Sequence, residues 1–351
     1  MGYRYIGSKD KLSEILIQEI KKNCPQAQTV IDLMAGTGLF SLALRKHGYR
    51  VLASDVMTYS YHHLIVNLKL NDSPSFSRLE NIIGTHNYEG VINYLNNIEP
   101  QNGFFTREFS PGGIPKAGCS PRMYFTKENA SKIDAIRVTI KKWYKANLIT
   151  EFEHSLLLHD LIMAVNDIAN IAGTYGHYLS HFVHRSLDPI YIRTSLFDKK
   201  SNVEGHEIRI GYAEDIAGEL YADVCYIDPP YIKRQYAANY HILETLARED
   251  EPEAIGESGL RPWRDQYSNF CSKIKIRSSF DTIIRNIHCN DIFISYSEDG
   301  LLQINDLITF LETYGTVNVH EIRYKRFRSN NSKKGLELTE YLIHLKKGDW
   351  V

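Results

Sequence analysis

The chain has 351 residues, 43% hydrophobic and 24% charged, an ordinary globular composition with length enough for one large domain or two. A net charge of −1 excludes a global electrostatic pull toward a polyanion, so nucleic-acid binding would have to come from local patches. The five cysteines, at 24, 119, 225, 271 and 289, form no CxxC pair and follow no signal peptide or long apolar span; this argues against a disulfide framework or zinc finger and for a reducing cytoplasm without a membrane anchor.

In chain order, residues 9–23 read as an amphipathic helix, with Leu12, Ile15, Leu16 and Ile20 on one stripe and Ser8 as N-cap. Thr29–Met34 is a short apolar strand, Ala35-Gly36-Thr37-Gly38 a tight turn, and Leu39–Lys46 a helix closed by Gly48. Tyr49–Ser54 is a second strand with Asp55 at its end, and residues 59–70 are again helical. This strand-turn-helix-strand order opens a parallel, doubly wound α/β sheet. Asn71–Ser77 is a turn-rich break, and residues 101–122 read as a Gly/Pro-rich loop. Long helical patterns fill 126–147 and 151–172. Strands are expected at Glu207–Tyr212, Ala222–Ile227, Asp291–Tyr296, Val317–Arg323 and Leu338–Leu345, and helices at 236–248, 279–287 and 303–313. The economical account is one α/β domain made of residues 1–70 plus 205–351, with 71–204 inserted as a mainly helical region.

The segment Asp32-Leu-Met-Ala35-Gly36-Thr37-Gly38 places glycines where backbone can approach a ligand closely. The spacing is not GxGxxG, since no third glycine stands at 41, which argues against a pyrophosphate grip. Asp55 lies 17 residues after Gly38 at a strand end, where a carboxylate accepts both ribose hydroxyls. A nucleoside without phosphate fits S-adenosyl-L-methionine (AdoMet); an NAD site or a packing turn is the alternative. Asp215, after the strand ending near Tyr212, is a candidate for the adenine amino group of the cofactor, and equally a helix N-cap.

The buried run Val224–Ile227 ends in Asp228-Pro229-Pro230-Tyr231. An exocyclic amino nitrogen of a base is a poor nucleophile because its lone pair is delocalised into the ring. Two acceptors aimed at its N–H bonds pull it toward tetrahedral geometry. Asp228 offers a carboxylate oxygen and Pro229 a carbonyl, the two prolines stiffen the loop, and Tyr231 offers a stacking face. A target inside a duplex would have to flip out, and stacking offsets part of that cost. C5 methylation by a cysteine nucleophile is disfavoured, as the chain has no Pro-Cys dipeptide.

With both ends in view, the chain resembles the Dam-like class of DNA adenine-N6 methyltransferases, particularly the modification methylases of type II restriction systems. Tyr3-Arg-Tyr5-Ile-Gly7-Ser8-Lys9 is similar to the family's N-terminal cofactor motif, in which an aromatic and the lysine approach the methionine part. Asp32–Gly38 resembles its Gly-rich motif, Asp55 its ribose acid and Asp228–Tyr231 its catalytic motif. Arg234-Gln235-Tyr236, Asn239-Tyr240-His241-Ile-Leu-Glu244, Ser295-Tyr296-Ser297 and Gly300-Leu301-Leu302 are similar to later stretches. Arg122–Thr126, Ile133–Arg137 and Trp143 resemble a subgroup's insert. Ile232 departs from the pattern, which usually has a small polar residue after the tyrosine. The resemblance implies a Rossmann-like AdoMet-dependent methyltransferase sheet, an insert that carries target recognition, double-stranded DNA as substrate, a monomer, and a restriction endonuclease encoded separately, in a bacterial cytoplasm or from a phage. N4-cytosine methylation, RNA or protein-glutamine methylation, and an inactive DNA-binding module are the alternatives.

Several weaker signals complete the reading. Arg323, Lys325, Arg326, Arg328, Lys333 and Lys334 form a basic run around a hairpin tip, read as phosphate contacts, with Lys273, Lys275 and Arg277 as a second patch. His177, His181 and His184 would share a helical face, but no further ligand completes a metal set, and the reaction requires no metal. Glu249–Glu257, acidic and proline-containing, reads as a mobile loop near the active site.

Overall fold

Short apolar strands buried along their whole length need cover on both faces, and this requirement organises the sheet. The computed structural model describes residues 12–116, 118–197, 203–325 and 337–348. Seven strands form one sheet: β1 (Thr29–Asp32), β2 (Arg50–Asp55), β3 (Glu207–Ile210), β4 (Val224–Ile227), β5 (Asp291–Ser297), β6 (Gly315–Lys325) and β7 (Glu337–Lys347). Their order is β3-β2-β1-β4-β5-β7-β6. The first five are parallel, and β7 runs antiparallel to both β5 and β6. The Rossmann-like α/β sheet expected from the sequence is therefore present.

Side chains alternate across the strands into two cores. Ile31, Leu52, Cys225, Ile227, Ile292 and Ile294 pack with helices Ile276–Asn286 and Ile304–Glu312. Val30, Val51, Ala53, Val224, Tyr226 and Phe293 pack with helices Ser13–Asn23 and Leu39–Lys46. The latter helix ends as expected at Gly48, whose φ is +89°. The Gly48 N–H donates to the Arg45 carbonyl and the Tyr49 N–H to that of Leu44, the paired bonds of a Schellman end. Ser8, expected as an N-cap, lies outside the described residues. The stretch expected to be helical over 59–70 is an α-helix from Thr58 to Leu64 that widens into a π-helical turn, Ile65–Lys69.

The sheet and its helices belong to one structural unit, Gly7–Leu68 with Lys200–Tyr236 and Gln266–Val351. A second, helical unit comprises Lys69–Lys199 and Ala237–Asp265. Its two long helices, Lys127–Lys145 and Glu151–Ile168, start at threonine caps. The Thr126 side chain accepts from the Asn129 N–H, and Thr150 with Glu153 closes a capping box. The expected loop over 101–122 contains a helix, Phe104–Phe109, and two more helices, Glu80–Ile83 and Tyr88–Asn97, fill sequence left unassigned. The Phe104–Phe109 helix is capped from a distance. The buried Asp134 carboxylate accepts from the N–H groups of Phe105 and Thr106 at 2.9 and 2.8 Å. A cap supplied 30 or so residues away leaves no local signature.

Two residues of the insert, Arg122 and Arg137, tie this unit together with Arg261 and His154. Arg122 is fully buried and donates to the carbonyls of Glu108, Ala254, Gly256 and Glu257 and to the Glu108 carboxylate. Arg137 reaches Glu251 at 3.2 Å, Arg261 reaches Asp250 at 2.7 Å, and His154 meets Glu249 at 3.0 Å. The acidic stretch 249–257 is thus not the mobile loop expected. Its acids pair with Arg137, distant in sequence, and with Arg261 close by, and Glu249 hydrogen-bonds to His154. His177, His181 and His184 do not share a helical face either, because only His184 is helical, opening the short helix His184–Leu187.

Candidate active site

A doubly wound sheet opens a crevice where successive connections leave in opposite directions, outside the carboxyl ends of the strands. Here β1 lies between β2 and β4, so the switch point is between β1 and β4. The Gly-rich turn leaves β1 there, and Asp228–Tyr231 leaves β4 beside it. The two motifs singled out in the sequence are therefore neighbours through sheet pairing, with Asp32 in register with Tyr226.

The turn is built to present backbone. Gly36 and Gly38 have φ of +54° and +71°, a region that side chains rarely enter. A Cβ at Gly38 would also come within 2.9 Å of Asn67 Nδ2 and 3.0 Å of Leu64. Asp55 holds the turn from below, accepting from the Gly36 N–H at 2.8 Å through one oxygen and from the Met57 N–H at 2.8 Å through the other. Asn67, on the π-helical turn, donates to the Thr37 carbonyl at 3.3 Å, and its own carbonyl accepts from Arg45 at 2.8 Å. Asn67 is a positioning residue that sequence reading missed, since only the wider turn brings it to the glycines. Ala35 joins the turn to β2 through its N–H, which donates to the Ser54 carbonyl.

Carboxylates crowd this rim. Asp32 is 1% exposed and accepts from Ser41 Oγ at 2.5 Å. Burial pushes its carboxyl up to about 7, and the charges of Asp228 and Asp55 push the same way against the Ser41 hydrogen bond. The folded protein therefore holds this proton more tightly than the unfolded chain. The resulting stability is present in full below the ordinary value of 3.8 and is lost as pH rises through about 7. We expect Asp32→Asn, which keeps the shape and fixes the neutral form, to flatten the stability loss between pH 5 and 8 by on the order of 2–4 kcal/mol. Urea unfolding at both pH values measures it; equal losses in parent and variant would remove Asp32 as the titrating group.

On the catalytic side, Asp228, Pro230 and Tyr231 are half-buried and Pro229 is buried. The Tyr231 carbonyl accepts from the Leu301 N–H at 2.9 Å, and its ring meets the edge of Tyr296 at 6.0 Å and 65°. Tyr296 is fully buried and its hydroxyl accepts from the Leu302 N–H at 2.9 Å. Gly300 permits this arrangement, because a Cβ there would lie 2.3 Å from the Tyr296 ring. The stretch 295–302 thus backs the loop that carries Tyr231.

Asp215 is exposed on the short helix Ala213–Ile216, whose N-cap is Tyr212, so the capping alternative is not what the structure has. It follows β3, which pairs with β2 up to Ile210 opposite Asp55. Tyr5, Lys9, Arg326, Arg328, Lys333 and Lys334 lie outside the described residues. Lys325 ends β6, and Arg323 is exposed with its guanidinium 3.6 Å from Glu321. Lys273, Lys275 and Arg277 are exposed around the start of helix Ile276–Asn286, where the helix dipole disfavours cations. Lys275 and Arg277 are set against aromatic rings, 5.4 Å from the centre of Tyr267 and 5.2 Å from that of Phe310. Arg234, Gln235 and Tyr236 continue from the catalytic loop, and Gln235 exchanges two hydrogen bonds with the Ser268 backbone. His241 and Glu244 are structural. His241 Nε2 donates to the Tyr175 carbonyl at 3.0 Å, and burial lowers its pKa to about 3; Glu244 pairs with Arg248 at 2.7 Å.

A family model described as D12 class N6 adenine-specific DNA methyltransferase matches residues 5–310. Among curated proteins, the chain is similar to the type II methyltransferase M.FokI of Planomicrobium okeanokoites, with 36% identity over 98% of this chain and 52% of that protein. It is similar to the modification methylase StsI of Streptococcus sanguinis, with 32% identity over 98% of this chain and 52% of that protein. The type II methyltransferase M.NlaIII of Neisseria lactamica is 30% identical over 98% of this chain and 99% of its own length. The chain thus spans about half the length of the first two relatives and nearly all of the third. No helix among the described residues is long and apolar enough to cross a membrane.

Proposed function

The chain belongs to the D12 class N6 adenine-specific DNA methyltransferase family, and on that premise we propose that it transfers a methyl group from AdoMet to the N6 amino group of a flipped-out adenine in duplex DNA. The observation that carries this reading is the pairing of β1 with β4, which sets the Gly-rich turn and Asp228–Tyr231 side by side at the switch point. AdoMet supplies an electrophilic methyl on a cationic sulfonium.

The residues at the rim suit such a ligand. The Asp55 carboxylate, held on the Gly36 and Met57 N–H groups, lends the rim negative charge. This charge would repel a pyrophosphate and attract a cationic nucleoside. Gly36 and Gly38 leave room for the nucleoside against backbone, Asp55 accepts from ribose, and Asp215 stands at the β3 side of the same edge. Tyr5 and Lys9 would approach the methionine part. Asp228 and the Pro229 carbonyl accept from the two amino protons, and Tyr231, backed by Tyr296, stacks on the base.

The helical unit, with its insert, is assigned target recognition, and the basic residues at 323–334 and 273–277 are assigned phosphate contacts. A separately encoded restriction endonuclease as partner is in keeping with relatives named as modification or type II methyltransferases, and we assign the chain a monomeric state in the cytoplasm. Mass spectrometry of nucleosides from duplex DNA treated with the chain and AdoMet tests the reaction. N6-methyladenine is expected. N4-methylcytosine, or methylation confined to an RNA competitor, would replace this reading.

A further inference from the structure

Three side chains that the proposed chemistry does not use meet on the opposite rim of the sheet. Cys24 is the C-cap of helix Ser13–Asn23, Asp291 opens β5 and His344 lies on β7. Their ligand-type atoms, a thiol sulfur, a carboxylate oxygen and a ring nitrogen, all lie within 4.8 Å of one another. His344 Nε2 is 2.8 Å from Asp291 Oδ1. Asp291 is in register with Val224, the first residue of β4, whereas Asp228 follows its last. The cluster therefore lies a strand's length from the catalytic loop.

The chemistry of the cluster favours a cation of borderline softness. Thiolate, imidazole and carboxylate are the ligand types of zinc sites. Tetrahedral bonds of roughly 2.0–2.3 Å put neighbouring ligand atoms roughly 3.3–3.7 Å apart, so side chains already within 4.8 Å need only small shifts. The imidazole is held in place by stacking on Phe293, with ring centres 4.3 Å apart and planes 3° from parallel. Its Nδ1 is buried and has no hydrogen-bond partner among the described residues. No second bond therefore fixes the tautomer, so Nε2 carries a proton toward a carboxylate or a lone pair toward a metal. A cleft of about 730 Å³, lined by Cys24 and Asp291 with His288, Cys289 and Lys347, opens beside the cluster. It leaves a fourth coordination position accessible to water.

We propose that Cys24, Asp291 and His344 form a three-ligand site for Zn²⁺, or for a divalent cation of similar preference, with its fourth position facing the cleft. Such an ion would tie the end of the helix Ser13–Asn23 to β5 and β7. The site lies apart from the methyl-transfer site, at the other end of β4.

Co²⁺ is the probe, titrated into the full chain after chelator treatment. One equivalent is expected to give a thiolate-to-cobalt charge-transfer band and tetrahedral visible bands, both erased by Zn²⁺. Cys24→Ser should abolish the charge-transfer band, and His344→Gln should weaken Co²⁺ binding by at least about tenfold. His181→Ala should change neither. Circular dichroism checks that each variant is folded. A folded parent chain that binds no Co²⁺, or a charge-transfer band that survives Cys24→Ser, overturns the site.

Discussion

Asp228→Ala is expected to lower methyl transfer by about 10²–10³-fold or more while changing AdoMet affinity by less than about threefold. The size follows from what the carboxylate is asked to do. It is one of two acceptors that convert a flat, delocalised amino group into a nucleophile, and it acts only as the transition state forms. Removing it takes away an interaction absent from the ground state, so the loss falls on kcat rather than on cofactor binding. Asp228→Asn keeps an acceptor oxygen and should lose less. The charge of Asp228 also helps to raise the Asp32 carboxyl, so in Asp228→Ala the pH at which Asp32 titrates should fall toward its ordinary range. Single-turnover rates with AdoMet binding measured in parallel test the prediction. A variant with kcat within tenfold of the parent would end the role assigned to this residue.

Arg122→Ala should destabilise the helical unit by about 3–5 kcal/mol. Arg122 is fully buried, and its guanidinium donates to four carbonyls and one carboxylate. Truncation leaves those acceptors without their donor and strips the Glu108 carboxylate, itself 3% exposed, of its ion pair with Arg122 at 3.1 Å. Arg122→Lys keeps the charge but not the planar fork, and should recover only part of the loss. Gly259 is bound up with the same contact, since its φ is +64° and an added Cβ would come within 2.8 Å of Arg122 Nε. Urea unfolding followed by circular dichroism reads the shift. A change below about 1 kcal/mol would mean that the arginine does not hold the unit together.

The parts legible in the sequence were those whose signals are local. Buried apolar runs announced β1, β2, β4 and β5, and the glycine and proline turns after β1 and β4 marked both edges of the crevice. The Asp32–Gly38 turn and the Asp228–Tyr231 loop needed no partner to be recognised, because backbone freedom and rigidity are written in the residues themselves. What was not legible depends on distant partners. The helix at Phe104–Phe109 is hidden among glycines and prolines and capped by Asp134 from another helix. The acidic stretch 249–257 resembles a solvated loop until Arg122, Arg137 and His154 are placed against it. Asn67 reaches the Gly-rich turn only because the chain widens into a π-helical turn, and no spacing rule anticipates that.

The helical unit draws on two separate stretches of chain, and this limits how it can be exchanged. Cutting out 69–199 as a cassette would part Arg122, Arg137 and His154 from the hydrogen-bond and ion-pair partners they have at 249–257. A graft from a related enzyme would have to carry both stretches, with the catalytic loop lying between them in the gene. Recombination in a single block can therefore change one half of the unit only if the other half already matches. Drift in this unit should accordingly proceed by paired substitutions across the two stretches rather than by wholesale transfer.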